Sequence, residues 1–479
     1  MHLNEYSAHD GVGLAQLVAR GDVSAAELAA LAALAIETVN PRLNAVIEHW
    51  QPDVAQPPAS GPLAGVPFLI KDLAVSYAGR RSELGSRLAA GLVAPADSYL
   101  MGRFKAAGLQ TIGRTTTPEM AFSTETESAL VGPTRNPWNP LLSAGGSSGG
   151  AGAAVAAGIV PLAHATDAAG SIRVPAAFNG LFGLKPTRGR SSHGPGLDEV
   201  FAGFGVQLGL SRTVRDSAAL LDAIQGQSPG DPYYTPAPAE RFLTQVGRDP
   251  GRLKIGLLRT PWNAGAVDAE IAQATQLAAL HLQAQGHQIE EASFDLGVSW
   301  EAFVHANAQI WCATLVRWID GLASATGRRI DASTLEPSTL ACYAYGLQAR
   351  ASDFAGALEV RNSVARTVAS WFERVDVLMT PTLPQLPQPL GTYSAGAAQM
   401  NGLEWTSRVF QHSPFTPIFN VAGTPAMSVP MATAASNGLP IGMQFAAAFA
   451  RDDVLLRLAG QLEQTMPWHA RRPTVWAGA

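Results

Sequence analysis

Between Ser143 and Pro175 the chain reads SAGGSSGGAGAAVAAGIVPLAHATDAAGSIRVP, two small-residue turns that each carry serine, set around an Ala/Val/Ile segment. The first turn is Gly145-Gly146-Ser147-Ser148-Gly149-Gly150 and the second is Thr166-Asp167-Ala168-Ala169-Gly170-Ser171-Ile172-Arg173. Glycine lets a backbone take positive φ and lets other groups come close. Successive N–H groups in such turns, or at a helix start, form a concave site for negative charge. A serine placed there has its hydroxyl beside donors able to hold an oxyanion. One Gly/Ser tract on its own reads as linker. Two in quick succession, proline-bounded and joined by an apolar segment, point to a rigid element built around serines.

Composition narrows the function classes. The chain has 479 residues, 47% of them hydrophobic, enough for a large core. The net charge is −5, with both signs dispersed, which excludes a basic nucleic-acid footprint. Two cysteines, Cys312 and Cys342, fit a reducing compartment better than a disulfide framework. The N-terminal MHLNEYSAHD has no apolar core of a signal peptide, and no apolar run is long enough to span a bilayer. The expectation is a cytoplasmic protein that touches neither membrane nor nucleic acid. No His/Cys cluster has metal-ligand spacing and no H-E-x-x-H occurs, so neither metal nor cofactor is expected.

Only four lysines occur, Lys71, Lys105, Lys185 and Lys254; the other 29 basic residues are arginines. Lysine can be neutralised by burial, whereas arginine effectively cannot. Lys71 ends the apolar run Val66-Pro67-Phe68-Leu69-Ile70 and therefore invites a specific explanation, although a sheet-end lysine reaching water is the plainer reading.

Taken in order, the sequence predicts helices over 10–20 and 24–40. The second opens on a Ser24/Glu27 capping box and is stopped by Asn40-Pro41. Strands are expected at 45–50, 65–72 and 109–113, with a helix over 97–107 and a loop over 52–62. Pro118, in a good first helical position, predicts a further helix. Beyond the serine stretch, helices are expected at 172–178, 213–225, 268–285 and 452–466. Strands are expected at 181–185, 253–259 and 376–380, with strands and turns over 414–450. Residues 226–252 read as an excursion, and 298–374 as mainly helical and pocket-forming. Strands alternating with helices imply an α/β fold with one sheet covered on both faces.

Serine needs a base to become a nucleophile. Gly145–Gly149 matches the G-x-S-x-G elbow, but an elbow follows a strand directly, and Asn139-Pro140-Leu141-Leu142-Ser143 is a poor strand. No serine stands three residues before any lysine, so an S-x-x-K pair is excluded. There remains a serine–lysine system assembled by the fold.

Here the chain resembles the amidase signature family. The matching residues are Lys71 after its apolar strand, GGSSGG at 145–150, TDAAGSIRVPA at 166–176, FGLKPTRG at 182–189, NVAGTPA at 420–426 and GLPIGMQ at 438–444. The match is good over about 60–225 and 414–466 and weak over 226–410. The resemblance implies one domain over 1–479 with a single large mixed β-sheet. Residue by residue, it implies that Ser171 is the acylated nucleophile, that Ser147 is a bridging serine on a cis bond to Gly146, and that Lys71 is the base. It implies an oxyanion hole from the backbone at Ala168, Ala169, Gly170 and Ser171, supported by Ser148, Thr166, Asp167 and Arg173. Met120, Phe122, Gly145, Gly146 and Trp311 are candidates for the substrate wall, as are Trp405 and Phe410; core packing of Met120 and Phe122 is an equal alternative. His164 reads as a satisfied core histidine.

Many relatives carry Gly-Gly where this chain has Ala169-Gly170, so the oxyanion region is narrowed. In that alanine, in Asn136-Pro137-Trp138-Asn139 and in Ala163-His164, the chain is similar to the branch that hydrolyses cyclic dimers of nylon oligomers. The activity implied is hydrolysis of a small-molecule carboxylic amide, linear or cyclic, through an acyl-enzyme. An ester- or carbamate-specific hydrolase, an amidotransferase subunit acting with a partner and tRNA, and a monomeric or homodimeric state all stay open.

Overall fold

A computed structural model describes residues 1–52, 60–197 and 199–479. Most of the proline-rich loop expected at 52–62 lies outside the described residues. Eleven strands form one mixed sheet: β1 Val46–His49, β2 Pro67–Lys71, β3 Gln110–Thr115, β4 Leu162–Asp167, β5 Phe182–Lys185, β6 Val206–Ser211, β7 Lys254–Leu257, β8 Gln288–Glu291, β9 Val377–Pro381, β10 Ala426–Thr433 and β11 Pro440–Ala447. Their order is β1-β3-β2-β4-β6-β5-β10-β11-β9-β7-β8. The left edge pairs β2 parallel to β3 and to β4; the centre from β4 through β9 is antiparallel; β7 runs parallel to β9 and β8. The central strands are buried along their length, which is why β2, β9 and β11 read as near-continuous apolar runs rather than alternating ones.

Local signals account for most boundaries. Ser24 and Glu27 form the expected reciprocal cap on the helix Ala25–Leu43. That helix does not stop at Pro41. Proline is carried in its last turn, and Asn44, left-handed with φ 51°, closes it by donating to the Asn40 carbonyl. The helix expected after Pro118 is a single 3₁₀ turn, Glu119–Ala121, because Met120 and Ala121 both take positive φ. The segment between the serine turns is a helix, Gly149–Ala156, followed by β4. Strands β6 and β8 carry no distinct signal in the sequence. Helices Trp300–Thr326, Pro337–Gly346 and Ala351–Trp371 stack into the layer that closes one side of the site.

Candidate active site

Strand β2 ends at Lys71, whose side chain is completely buried. Its Nζ lies 2.7 Å from Ser147 Oγ, 3.0 Å from Ser148 Oγ and 2.9 Å from Thr166 Oγ1. A neutral amine has two N–H groups and one lone pair, so it can donate to Ser148 and Thr166 and accept from Ser147. Burial holds the Lys71 amine well below its ordinary value, against the opposing pull of the Asp167 carboxylate. Asp72 points the other way, as strand alternation requires, and pairs with Arg114 Nη1 at 2.9 Å. The Lys71 N–H donates to His164 Nδ1 at 3.2 Å, leaving His164 Nε2 to donate to Gln207 Oε1 at 3.0 Å. His164 is thus satisfied on both nitrogens, and burial pushes it down to about 3.

Ser147 and Ser148 sit between β3 and the helix Gly149–Ala156, and the Gly146–Ser147 peptide bond is cis. A Cβ on Gly146 would stand 2.7 Å from the Glu125 backbone, so only glycine lets the turn lie there. Ser171 follows β4 and precedes the helix Arg173–Asn179; its side chain opens on the same cavity as Ser147, with no direct hydrogen bond between the two hydroxyls. Gly170 has φ 136°, and a Cβ there would meet Thr416 Oγ1 at 2.5 Å.

The turn around Ser171 is held by one buried network. Arg173 donates from Nε and Nη2 to the two oxygens of Asp167 at 3.0 and 2.9 Å, from Nη1 to Gln444 Oε1 at 2.7 Å, and from Nη2 to Asn420 Oδ1 at 2.6 Å. Asp167 also accepts from the backbone N–H groups of Gly170 and Ile172 at 2.7 and 3.1 Å. The Gly170 N–H is therefore committed to Asp167, whereas those of Ala168, Ala169 and Ser171 make no hydrogen bond among the described residues. Asn420, Gln444 and Thr416 were not among the expected supports. A polar Gln444 within the apolar run Ile441–Ala447 was the available signal.

Met120, Ala168, Trp311, Leu197, Val200 and Phe201 wall the cavity at Ser171. Of the expected wall residues, Met120 and Trp311 reach it. Phe122 does not: it stacks on the far face of Trp311 at 4.7 Å, while Phe201 stacks on the other at 3.9 Å. Trp405 is turned away and donates from Nε1 to the Phe122 carbonyl; Phe410 packs on Phe303 in the core. Gly145 and Gly146 lie behind the serines rather than on the wall. His193, Leu197, Val200 and Phe201 supply much of the wall and were missed, since a Gly/Pro loop has no periodicity to read. A vestibule of 510 Å³ adjoins the cavity, sharing Leu73, His193, Leu197 and Trp318 with it. Among the described residues no helix is long and apolar enough to cross a membrane.

Residues 23–456 match the family model described as Amidase. The chain is 38% identical to a 6-aminohexanoate-cyclic-dimer hydrolase of Paenarthrobacter ureafaciens, covering 97% of this chain and 96% of that one. Its fold superposes on the structure of a 6-aminohexanoate cyclic dimer hydrolase complexed with substrate with a TM-score of 0.91 at 36% identity, covering 98% and 99% of the two chains. A bacterial aryl acylamidase of the amidase signature family gives 0.84 at 26% identity over 97% and 99%. The buried lysine beside two glycine-bound serines and the full-length match agree: this chain belongs to the amidase family.

Proposed function

We propose that the protein hydrolyses neutral carboxylic amides through an ester on Ser171, with Ser147 and Lys71 as the proton relay. The observation that carries this reading is the 2.7 Å contact between a fully buried, desolvated amine and a hydroxyl that shares its cavity with Ser171. Neutral Lys71 takes the proton of Ser147, Ser147 takes that of Ser171, and the Ser171 oxygen attacks the amide carbonyl. The tetrahedral oxyanion faces the uncommitted N–H groups of Ala168 and Ala169, each such donor being worth about 3 kcal/mol. The relay returns its proton to the departing amine, and water cleaves the ester by the same route. Ser148 and Thr166 orient the lysine; Asp167 and Arg173 hold the nucleophile turn.

The substrate class follows from the wall. It is apolar and aromatic, and its one charged group, Asp167, is saturated by Arg173. A neutral amide with aliphatic flanks fits, and the similarity to cyclic-dimer hydrolases favours an oligoamide, cyclic or linear. Trp311 adds a specificity element. Held by stacking with Phe122 and Phe201, its indole gives the cavity a rigid apolar wall for the alkyl part of the substrate. Trp311→Ala is expected to raise KM by roughly tenfold for an amide with long alkyl flanks, the equivalent of about 1.4 kcal/mol of lost apolar contact, with kcat little changed. Steady-state kinetics on a long-chain and a short-chain amide measure this; an equal change for both would remove the assignment.

The reading as a whole is tested by incubating the purified chain, alone, with a panel of cyclic and linear amides and measuring amine release. Turnover without any partner protein is expected. Release that requires a second protein or RNA would overturn it.

A further inference from the structure

The cavity at Ser171 encloses 30 Å³, against 510 Å³ for the vestibule that adjoins it. A chain attached to an amide held at Ser171 therefore extends into the vestibule. The helix Trp300–Thr326 runs along both spaces. Trp311 walls the catalytic cavity, Trp318 borders the two, and Arg317 lines the vestibule alone. Trp318 is seated against Phe201, with ring centres 5.0 Å apart, so the threshold between the two spaces is built from rings. Arg317 stands six residues past Trp311, about 9 Å further along the helix axis, the reach of a short polymethylene spacer.

The ionisable groups of the vestibule are not equivalent. Asp97 is occupied: its carboxylate accepts from the Ala78 N–H at 2.8 Å and pairs with Lys105. His193, at the threshold, is satisfied on both nitrogens. Its Nε2 donates to the Gly205 carbonyl at 2.9 Å, which leaves Nδ1 to accept from Gln207 Nε2 at 3.1 Å, and burial holds it below its ordinary value. Arg317 is exposed and makes no hydrogen bond, ion pair or ring contact among the described residues. Asp320, the nearest acid along the same helix, accepts instead from Tyr343 Oη at 2.8 Å. The hydroxyls of Ser76 and Ser82 also line the space without a partner among the described residues. The vestibule thus offers one uncommitted cation with free hydroxyls on its walls, and a guanidinium is a fork of donors matched to a carboxylate.

We infer that the vestibule takes the part of the substrate beyond the reacting amide, and that Arg317 selects chains ending in a carboxylate, as amido acids and linear oligoamides do. The inference rests on the amide-hydrolase reading of Ser171 and deepens it. The reacting amide stays neutral in its apolar cavity while the charge sits one chamber out. Inside the catalytic cavity a carboxylate would lose its water beside Asp167; in the open vestibule it keeps part of its hydration and meets a cation.

The test is steady-state kinetics of the full chain on two amides that differ only at the far end: N-hexanoyl-ε-aminocaproate, and the same compound with a hydroxymethyl group in place of the carboxylate. The wild type is expected to favour the carboxylate about fivefold in kcat/KM, carried by KM, the upper range for an exposed ion pair. Arg317→Gln is expected to abolish that preference and to leave kcat/KM for the alcohol within about twofold. Arg317→Lys is expected to keep part of it, and high salt to erase it in the wild type. Calorimetric binding of both compounds to Ser171→Ala reads the same preference without turnover, so a failure of the seryl mechanism and a failure of this inference give different results. Equal kcat/KM and equal affinity for the two compounds, or a preference unchanged in Arg317→Gln, would overturn the inference.

Discussion

Lys71→Ala should lower kcat/KM by about four orders of magnitude, the size of effect seen when the base of a coupled nucleophile is lost. The physical reason is that no other base touches Ser147. His164 is engaged on both nitrogens, and Asp167 is enclosed by Arg173 and backbone donors. The same geometry fixes the sign of the pH dependence. As the proposed base, Lys71 works only as the free amine, so activity is expected to be lost as pH falls through its depressed pKa and retained above it, with desolvation the main cause of the shift and Asp167 opposing it. Lys71→Arg should be as inactive as alanine at every pH, because a guanidinium stays charged and its fork does not fit the space among three hydroxyls. Kinetics of both variants between mildly acid and mildly alkaline pH measure this. Activity in Lys71→Arg within tenfold of wild type would count against a neutral amine as the base.

The second large effect is on folding. Arg173 and Asp167 are both fully buried, and between them they bind β4, the nucleophile turn, Asn420 and Gln444. Asp167→Ala leaves a buried guanidinium uncompensated and should cost about 3–5 kcal/mol. Arg173→Met leaves a buried carboxylate, which still keeps backbone donors from Gly170 and Ile172, and should cost less. The double variant should be less destabilised than the sum of the two, since neither ion is then left without its partner. Urea unfolding at neutral pH supplies the numbers. Additive costs would mean that the pair is not the unit that holds the turn.

The sequence pointed to the residues of the proposed relay more readily than to the pocket around them. Lys71, Ser147 and Ser171 stood out because each breaks a local rule: an amine ending an apolar strand, and serines inside glycine turns too rigid for a linker. The capping box at Ser24 and the opposed directions of Lys71 and Asp72 were legible for the same reason, since both are set by neighbours one to three residues away. What tertiary contacts decide was not legible. Met120 and Ala121 take positive φ where the segment lines the catalytic cavity, and nothing in Pro118-Glu119 announces it. The Gly170 N–H turned toward Asp167 rather than remaining free, a choice made by the arginine brought in from the following helix. The Trp311 sandwich needed Phe201 from a loop without periodicity.

In the proposed reaction the acyl group is carried on one particular oxygen, that of Ser171. Mass spectrometry of the protein after reaction with a fluorophosphonate locates that oxygen directly. A single adduct on the peptide bearing Ser171, absent in Ser171→Ala and strongly slowed in Lys71→Ala, is the expected result. An adduct on Ser147 or Ser148 instead, or undiminished amide turnover by Ser171→Ala, would contradict it.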